Sequence, residues 1–299
     1  MLAIIIPYYK IKFFDFTLKS LAEQTDKRFT VYIGNDCSID DPMEIIKNYE
    51  GRITIKYHLF DVNLGARSLA LQWQRCVDLT DDEQWIMMLC DDDLLDENCI
   101  SEFYKNLVEI NNNDIDVVRF STDVIDEFGT KFNKNVYHPK FEKSTDFLVR
   151  RLKGGTRNSL SENIFKRDKV LQNKFKNFPL AWHSDDLALL EFSNFGTLFT
   201  INEAKVYFRL SDLNITNKAD NVAEKNDASF QFFYYLLYKK SSKFTLDQYN
   251  VIRNKLEKRV LENKMNVKYW MLILFLYFRD LKFKEMVTLF LKVPKSIKK

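Results

Sequence analysis

An α/β architecture with a mainly parallel central sheet, followed by a helical C-terminal region, is what this sequence predicts. Three observations carry the prediction. Over the first 120 residues, short apolar runs rich in β-branched and aromatic side chains alternate with stretches of helical period, as strands joined by crossover helices do. Beyond residue 221, apolar residues recur only at helical spacing. A chain of 299 residues with 46% hydrophobic content is also long enough to bury one substantial core, or one core with a smaller appendage.

In chain order, strands are expected at Leu2–Ile6, Phe29–Gly34, Ile53–Leu59, Trp85–Cys90 and Val117–Phe120. Pro7, Asn35-Asp36 and the run Asp91-Asp92-Asp93 stop three of them. Between them Phe13–Gln24, Pro42–Tyr49, Ala66–Leu79 and Glu97–Asn111 have helical length and spacing. Pro42 suits a first helical turn, with Asp40 or Asp41 as its cap. The C-terminal region predicts helices over Phe230–Tyr238, Leu246–Glu262 and Val267–Phe290, with the aromatic cluster from Phe230 to Tyr235 as core.

Charge is split along the chain. The net +3 combines an acidic body with a basic end: residues 222–299 carry 17 basic and 7 acidic side chains, a net of +10. Nucleic acid, anionic lipid and simple solubility all accommodate such an end. The last stretch, Arg279 to Lys299, has seven basic and two acidic residues beside Leu281, Phe283, Met286, Leu289, Phe290 and Leu291. That mixture suits an anionic membrane surface, and equally a packed helix with a solvated basic face. Cys37, Cys76, Cys90 and Cys99 show no zinc or redox spacing, which predicts reduced thiols. No secretory signal is legible, and the longest apolar run, Tyr269 to Phe278, is half of what a bilayer requires. A cytoplasmic chain, peripheral at most on the inner face of the membrane, is expected.

In a parallel sheet ligands gather at the carboxyl ends of the strands. Here those ends read Pro7-Tyr8-Tyr9, Asn35-Asp36-Cys37-Ser38-Ile39-Asp40, Asp61-Val62-Asn63-Leu64-Gly65 and Asp91-Asp92-Asp93. Three adjacent carboxylates repel one another, and a cation relieves them; an acidic cap for the helix near Asp96 is the other reading. No glycine-rich phosphate cradle is present, so a phosphate ligand would need a metal bridged by carboxylates.

These segments resemble, in order and spacing, the motifs of the nucleotide-sugar-dependent glycosyltransferases of family 2. Ile4-Ile5-Ile6-Pro7-Tyr8-Tyr9 is similar to the family's opening strand and Pro-x-Tyr turn, and Asn35 to Asp40 to its N-D-G-S-T-D segment, with Cys37 for the usual Gly. Asn63-Leu64-Gly65 resembles N-x-G, and Leu89 to Leu95 resembles the L-D-S-D-D-x-L metal motif with Cys90 in place of its first Asp. Trp182 to Leu190 is similar to the Glu-Asp-x-x-Leu segment. Val206 to Thr216 is similar to the closing Y-R-x-H-x-x-S-x-T segment, with Arg209 matched and Ser211 where many members have His.

The resemblance covers about residues 1–216 and implies a Rossmann-like GT-A domain there, with 217–299 as a helical C-terminal extension. It implies an inverting, hexosyltransferase-type enzyme that moves a sugar from a nucleoside diphosphate sugar, a UDP-sugar above all, to a hydroxyl of a saccharide or lipid-linked saccharide. Surface polysaccharide synthesis would be its setting, with no nucleic acid partner. In that scheme Asp36 reads the nucleoside, and Asp92 and Asp93 hold Mn²⁺ or Mg²⁺. Asp91 shapes the turn or touches the ribose. Pro7, Tyr9, Asn63 and Arg67 complete the nucleotide-sugar site, although Arg67 early in a helix is also a common solvated side chain. Arg209 contacts phosphate or pairs with an acidic loop. Asp186 is the base and Asp185 its neighbour, or the pair caps a helix. His183 reads as packing, or as support for the site. The glycines of Lys153-Gly154-Gly155-Thr156-Arg157-Asn158 suggest an acceptor loop. Two alternatives share parts of the pattern. A nucleotidyltransferase would need a glycine-rich, Lys-containing opening loop, and a degenerate saccharide- or partner-binding domain would account for Cys90 and Ser211.

Overall fold

The computed structural model describes residues 1–132, 136–212, 214 and 220–293. The chain begins with β1 (Leu2–Tyr8), α1 (Phe14–Ala22), β2 (Phe29–Asn35), α2 (Met43–Lys47), β3 (Thr54–Leu59), α3 (Leu69–Val77) and β4 (Trp85–Met88). The four strands pair in parallel in the order β3-β2-β1-β4. β1 and β2 are almost wholly buried, which is why they read as continuous apolar runs. Alternate residues of β1 serve opposite layers. Leu2, Ile4 and Ile6 pack with Phe14, Leu18 and Leu21 of α1, whereas Ala3 and Ile5 pack with Ala70, Cys76 and Val77 of α3.

The chain continues with β5 (Leu94–Leu95), α4 (Cys99–Asn112), β6 (Val117–Ile125), β7 (Phe141–Lys143), α5 (Ser144–Leu152), β8 (Asn163–Lys166), α6 (Arg167–Asn173), α7 (Ser184–Phe192) and β9 (Thr197–Arg209). β8 inserts antiparallel between β4 and β6, and β9 lies parallel to β6 with β5 and β7 antiparallel to it. The nine-stranded sheet thus has β1–β4, β6 and β9 running one way. Four helices close the chain: α8 (Val222–Lys239), α9 (Leu246–Glu262), α10 (Val267–Arg279) and α11 (Phe283–Lys292). They share one apolar cluster with α5 and α7, in which Leu148, Leu152, Leu187 and Leu190 meet Phe232, Phe233, Leu236 and Ile252. The expected division at 216/217 falls outside the described residues.

Several expected boundaries move, each for a local reason. The helix expected from Ala66 starts at Leu69, because Ser68 accepts the Leu71 N–H at 3.2 Å and caps it there. Pro42 precedes the first turn of α2 rather than opening it, and Asp41 accepts the Met43 N–H at 3.0 Å. The helix expected over Val267–Phe290 is two. Leu281 adopts φ 54° and the Lys282 N–H returns to the Tyr277 carbonyl at 2.8 Å, a left-handed helix ending built without glycine. The strand expected to Cys90 stops at Met88. Among the described residues no helix is long and apolar enough to cross a membrane, and all four cysteines are free thiols.

Candidate active site

The carboxyl ends of β1, β2 and β4 open onto a cleft of about 1330 Å³. Pro7, Tyr9, Asp36, Asn63, Arg67, Asp91 and Asp92 all line it, so four separate segments of the sequence converge there. Asp185 lines it as well, and so does the stretch from Gly154 to Asn158. Asp93, Asp186 and Arg209 lie buried behind its wall.

Asp36 first builds its own surroundings. Its carboxylate accepts the N–H groups of Leu64 at 2.7 Å and Gly65 at 2.8 Å, and it pairs with Arg75, whose guanidinium lies 3.8 Å from the Phe60 ring centre. A Cβ on Gly65 would come within 2.5 Å of Asp36 Oδ2, so glycine is required at that close approach. With three donors already accepted, one lone-pair position of the carboxylate remains. Asn63 Oδ1 accepts the Ala66 N–H at 2.8 Å, and Arg67 sits exposed in the turn ahead of α3 rather than in the helix.

The three carboxylates of the acidic turn do different things. Asp91 Oδ2 accepts the N–H groups of Tyr9 at 2.8 Å and Lys10 at 2.7 Å, tying the turn to the end of β1. Asp93 is fully buried and accepts the Ser161 hydroxyl at 2.5 Å and the Arg209 N–H at 2.9 Å. Asp92 faces the cleft and accepts the Asn214 side-chain amide at 3.3 Å. The charges of Lys10 and Arg209 act on Asp92, and that of Arg157 on Asp93, but they do not offset burial. Burial, and then the charges of Asp93 and Asp91, push Asp92 well above the usual carboxylate range, and burial pushes Asp93 up to about 6. The turn does not cap a helix. β5 intervenes, α4 begins only at Cys99, and Asp96 is taken up by the Tyr207 hydroxyl at 2.5 Å and the Lys205 N–H at 3.2 Å.

Cys90 Sγ and carboxylate oxygens of Asp92 and Asp93 lie within 4.8 Å of one another. Burial and the adjacent carboxylates raise the Cys90 thiol far above its ordinary value, and a sulfur donor is a soft match for a hard cation. The donors left for a hard divalent cation are the carboxylates of Asp92 and Asp93. Ser211, in the position of the family His, donates its N–H and hydroxyl to Asn214 Oδ1, both at 2.7 Å, and so orients the amide that reaches Asp92.

Arg209 is not placed as the resemblance implies. Its Nε donates to the Asp92 carbonyl at 2.9 Å, its Nη1 to the carbonyls of Asp126 at 3.0 Å and Glu127 at 3.1 Å, and its guanidinium covers Phe13 at 4.5 Å. It clamps the acidic turn from behind, with its Nε and Nη1 held by backbone carbonyls, and it does not line the cleft.

The two carboxylates of the Asp185-Asp186 pair sit in different surroundings. Asp186 is engaged by Arg151 at 2.9 Å, His183 Nδ1 at 2.7 Å and Asn158 at 3.2 Å. Burial acts to raise it, but these partners outweigh burial and hold it below the usual range. Asp185 stands on the cleft wall, pushed up to about 7 by burial and then by the charge of Asp186. The backbone leading to it is left-handed at Leu180, Ala181 and His183, with φ of 57°, 51° and 69°. α8 braces this strained segment: the His183 ring stacks on Phe232 at 4.6 Å and its Nε2 meets the Ser229 hydroxyl at 3.1 Å.

Sequence reasoning missed Trp73, Tyr137, Trp182 and Phe208, which give the cleft its aromatic walls, and Ser161, which anchors both Asp93 and the Cys90 N–H. Lone aromatic residues and a lone serine carry no motif. Trp182 and Phe208 lay in segments that the resemblance covers, and Arg157, 4.0 Å from the Phe208 ring centre, in one that its glycines marked out.

The model of the glycosyl transferase family 2 matches residues 3–170, more than half of the chain. The chain belongs to glycosyl transferase family 2. No curated protein matches this family 2 glycosyltransferase by sequence. Among solved structures, S. aureus TarS 1–349 in complex with UDP-GlcNAc is similar with a TM-score of 0.64 at 14% identity, over 87% of this chain and 72% of that one. TarS 1–349 in complex with UDP gives 0.55 at 16% identity, over 87% and 80%. TarS itself gives 0.55 at 16%, and this chain spans 48% of its length. At such identity the likeness bears on the fold alone, a GT-A fold, and the family membership makes this chain an enzyme of nucleotide-sugar glycosyl transfer.

Proposed function

We propose that this family 2 glycosyltransferase moves a hexose-type residue from a UDP-sugar to a hydroxyl of a saccharide or lipid-linked saccharide, with inversion, in surface polysaccharide synthesis. The reading puts it in the cytoplasm, at the inner face of a membrane. A cleft-facing carboxyl with a pKa near neutrality, Asp185, is the observation that carries it. A group poised there accepts a proton at working pH without being spent on an ion pair. The acceptor hydroxyl attacks the anomeric carbon, its proton passes to Asp185, and the bond from that carbon to the diphosphate oxygen breaks. One in-line displacement of this kind inverts the centre.

Asp186 stays ionised beside it, fixed by Arg151 and His183, and keeps Asp185 avid for the proton. The 63–65 loop, shaped by Asp36, and the Pro7-Tyr8-Tyr9 turn would bind the nucleoside; UDP as its identity is supported by the TarS complexes. A divalent cation on Asp92 and Asp93 would offset charge on the departing diphosphate. A panel of nucleotide sugars, scored for donor hydrolysis and for the anomeric configuration of the transferred sugar, tests the reading. A UDP-sugar consumed with inverted product is expected. A retained configuration, or preference for a donor on another nucleotide, would overturn it.

A further inference from the structure

α10 buries Tyr269, Ile273 and Leu276, yet its opposite side carries a second apolar stripe of Val267, Met271, Phe275 and Phe278. The spacing of four, four and three residues puts these on one helical face. α11 repeats the arrangement with Phe283, Val287 and Leu291 around the side that buries Leu289. The two exposed stripes join at the helix corner, where the Phe278 and Phe283 rings meet edge to face at 5.7 Å and Leu281 projects beside them. These eight side chains are 47% to 74% exposed. A continuous apolar strip of that length is more than the scattered exposure that folded surfaces tolerate.

Charge decides what covers it. The hairpin's two acids are already engaged, Asp280 with Arg279 at 2.6 Å and Glu285 with Arg253 at 3.2 Å, while Lys268 and Lys284 stand exposed on the two helices and the sequence goes on to Lys295, Lys298 and Lys299. Residues 222–299 carry a net +10, so a second copy laid on this face would bring like charge against like. We infer that the α10–α11 hairpin is a membrane-docking element that lies in the interface plane of an anionic leaflet, its apolar strip among the acyl chains and its lysines at the phosphates. The chemistry is that of an amphipathic interfacial helix pair, with apolar burial and headgroup attraction acting together. It brings the enzyme to the surface at which a lipid-linked acceptor is presented.

The test is flotation of the full chain with vesicles of phosphatidylcholine alone and of phosphatidylcholine mixed with phosphatidylglycerol. Binding to the mixed vesicles, released by raised salt and weak on phosphatidylcholine, is expected. The double substitution Met271→Glu with Val287→Glu should cut that binding by about tenfold or more. Its melting temperature and its donor hydrolysis in vesicle-free buffer should stay as in the parent, because both side chains are exposed and remote from the cleft residues. Equal binding to both vesicle types, or none, overturns the inference. So does a dimer by light scattering that the double substitution converts to monomer without loss of vesicle binding. Donor hydrolysis is read separately, so failure of the docking surface leaves the transfer reading untouched.

Discussion

Asp185 and Asp186 are neighbours in the chain, yet their carboxylates end in opposite electrostatic surroundings. Arg151, His183 and Asn158 converge on Asp186, and none of them on Asp185. Asp185→Asn should therefore lower kcat about a thousandfold while leaving the dissociation constant for UDP, measured by calorimetry, nearly unchanged. Asp186→Asn should instead lower the melting temperature, because Arg151 is left facing a neutral group in a buried setting. The pH profile follows from the same asymmetry. The base works ionised, so kcat/KM should rise with pH through a midpoint near 7 and level off above it. An acid limb lying below the ordinary carboxyl range would return the role to Asp186. At this scale the pair was legible in the sequence and the division of labour was not, since the three partners that settle it come from α5, the loop before β8 and a left-handed residue ahead of α7. Asp36 is similar: its position at the strand end could be read, but its commitment to Leu64, Gly65 and Arg75 depends on a loop 28 residues on.

The acidic turn between β4 and β5 is an element held from outside itself. Tyr9 and Lys10 fix its first carboxylate, Ser161 and the Arg209 backbone its third, and the Arg209 guanidinium its backbone, which leaves Asp92 as the member aimed into the cleft. Arg209→Ala removes three part-buried hydrogen bonds to carbonyls that tie the acidic turn to residues 126–127. A loss of about 2–4 kcal/mol in denaturant unfolding is expected, along with weaker metal-dependent UDP binding. An unchanged unfolding midpoint would mean that the clamp is not structural. Many of the longer elements were legible from periodicity, because β1, β2 and β4 are buried on both faces and most helices are striped, but β9, the longest strand at 13 residues, and the helices α5 and α6 were not expected. β5, β7 and β8, of two to four residues, are too short to show a period, and the corner between α10 and α11 contains neither Gly nor Pro.

Across the whole molecule, the C-terminal helices and the sheet domain meet at His183. Phe232 of α8 stacks on that ring, and the ring holds Asp186, so the packing of the extension reaches the Asp185-Asp186 pair. Phe232→Ala should cost about 3–5 kcal/mol of stability and also displace the pH midpoint of kcat/KM; a stability loss with an unmoved midpoint would make Phe232 a packing residue alone. The helical character of this extension was legible, whereas its contact with the site was not, because a His–Phe stack leaves no mark in periodicity. The strand order carries one more consequence, for biosynthesis. β4 is paired on one side by β1 but on the other only by β8, and β5 only by β9. While the ribosome has delivered the first 150 residues, β4 is an open strand edge, and the acidic turn beside it lacks both Ser161 and Arg209. The four N-terminal strands must wait, exposed to edge-on pairing with other nascent chains, and the cleft acquires its final shape only when residue 209 emerges.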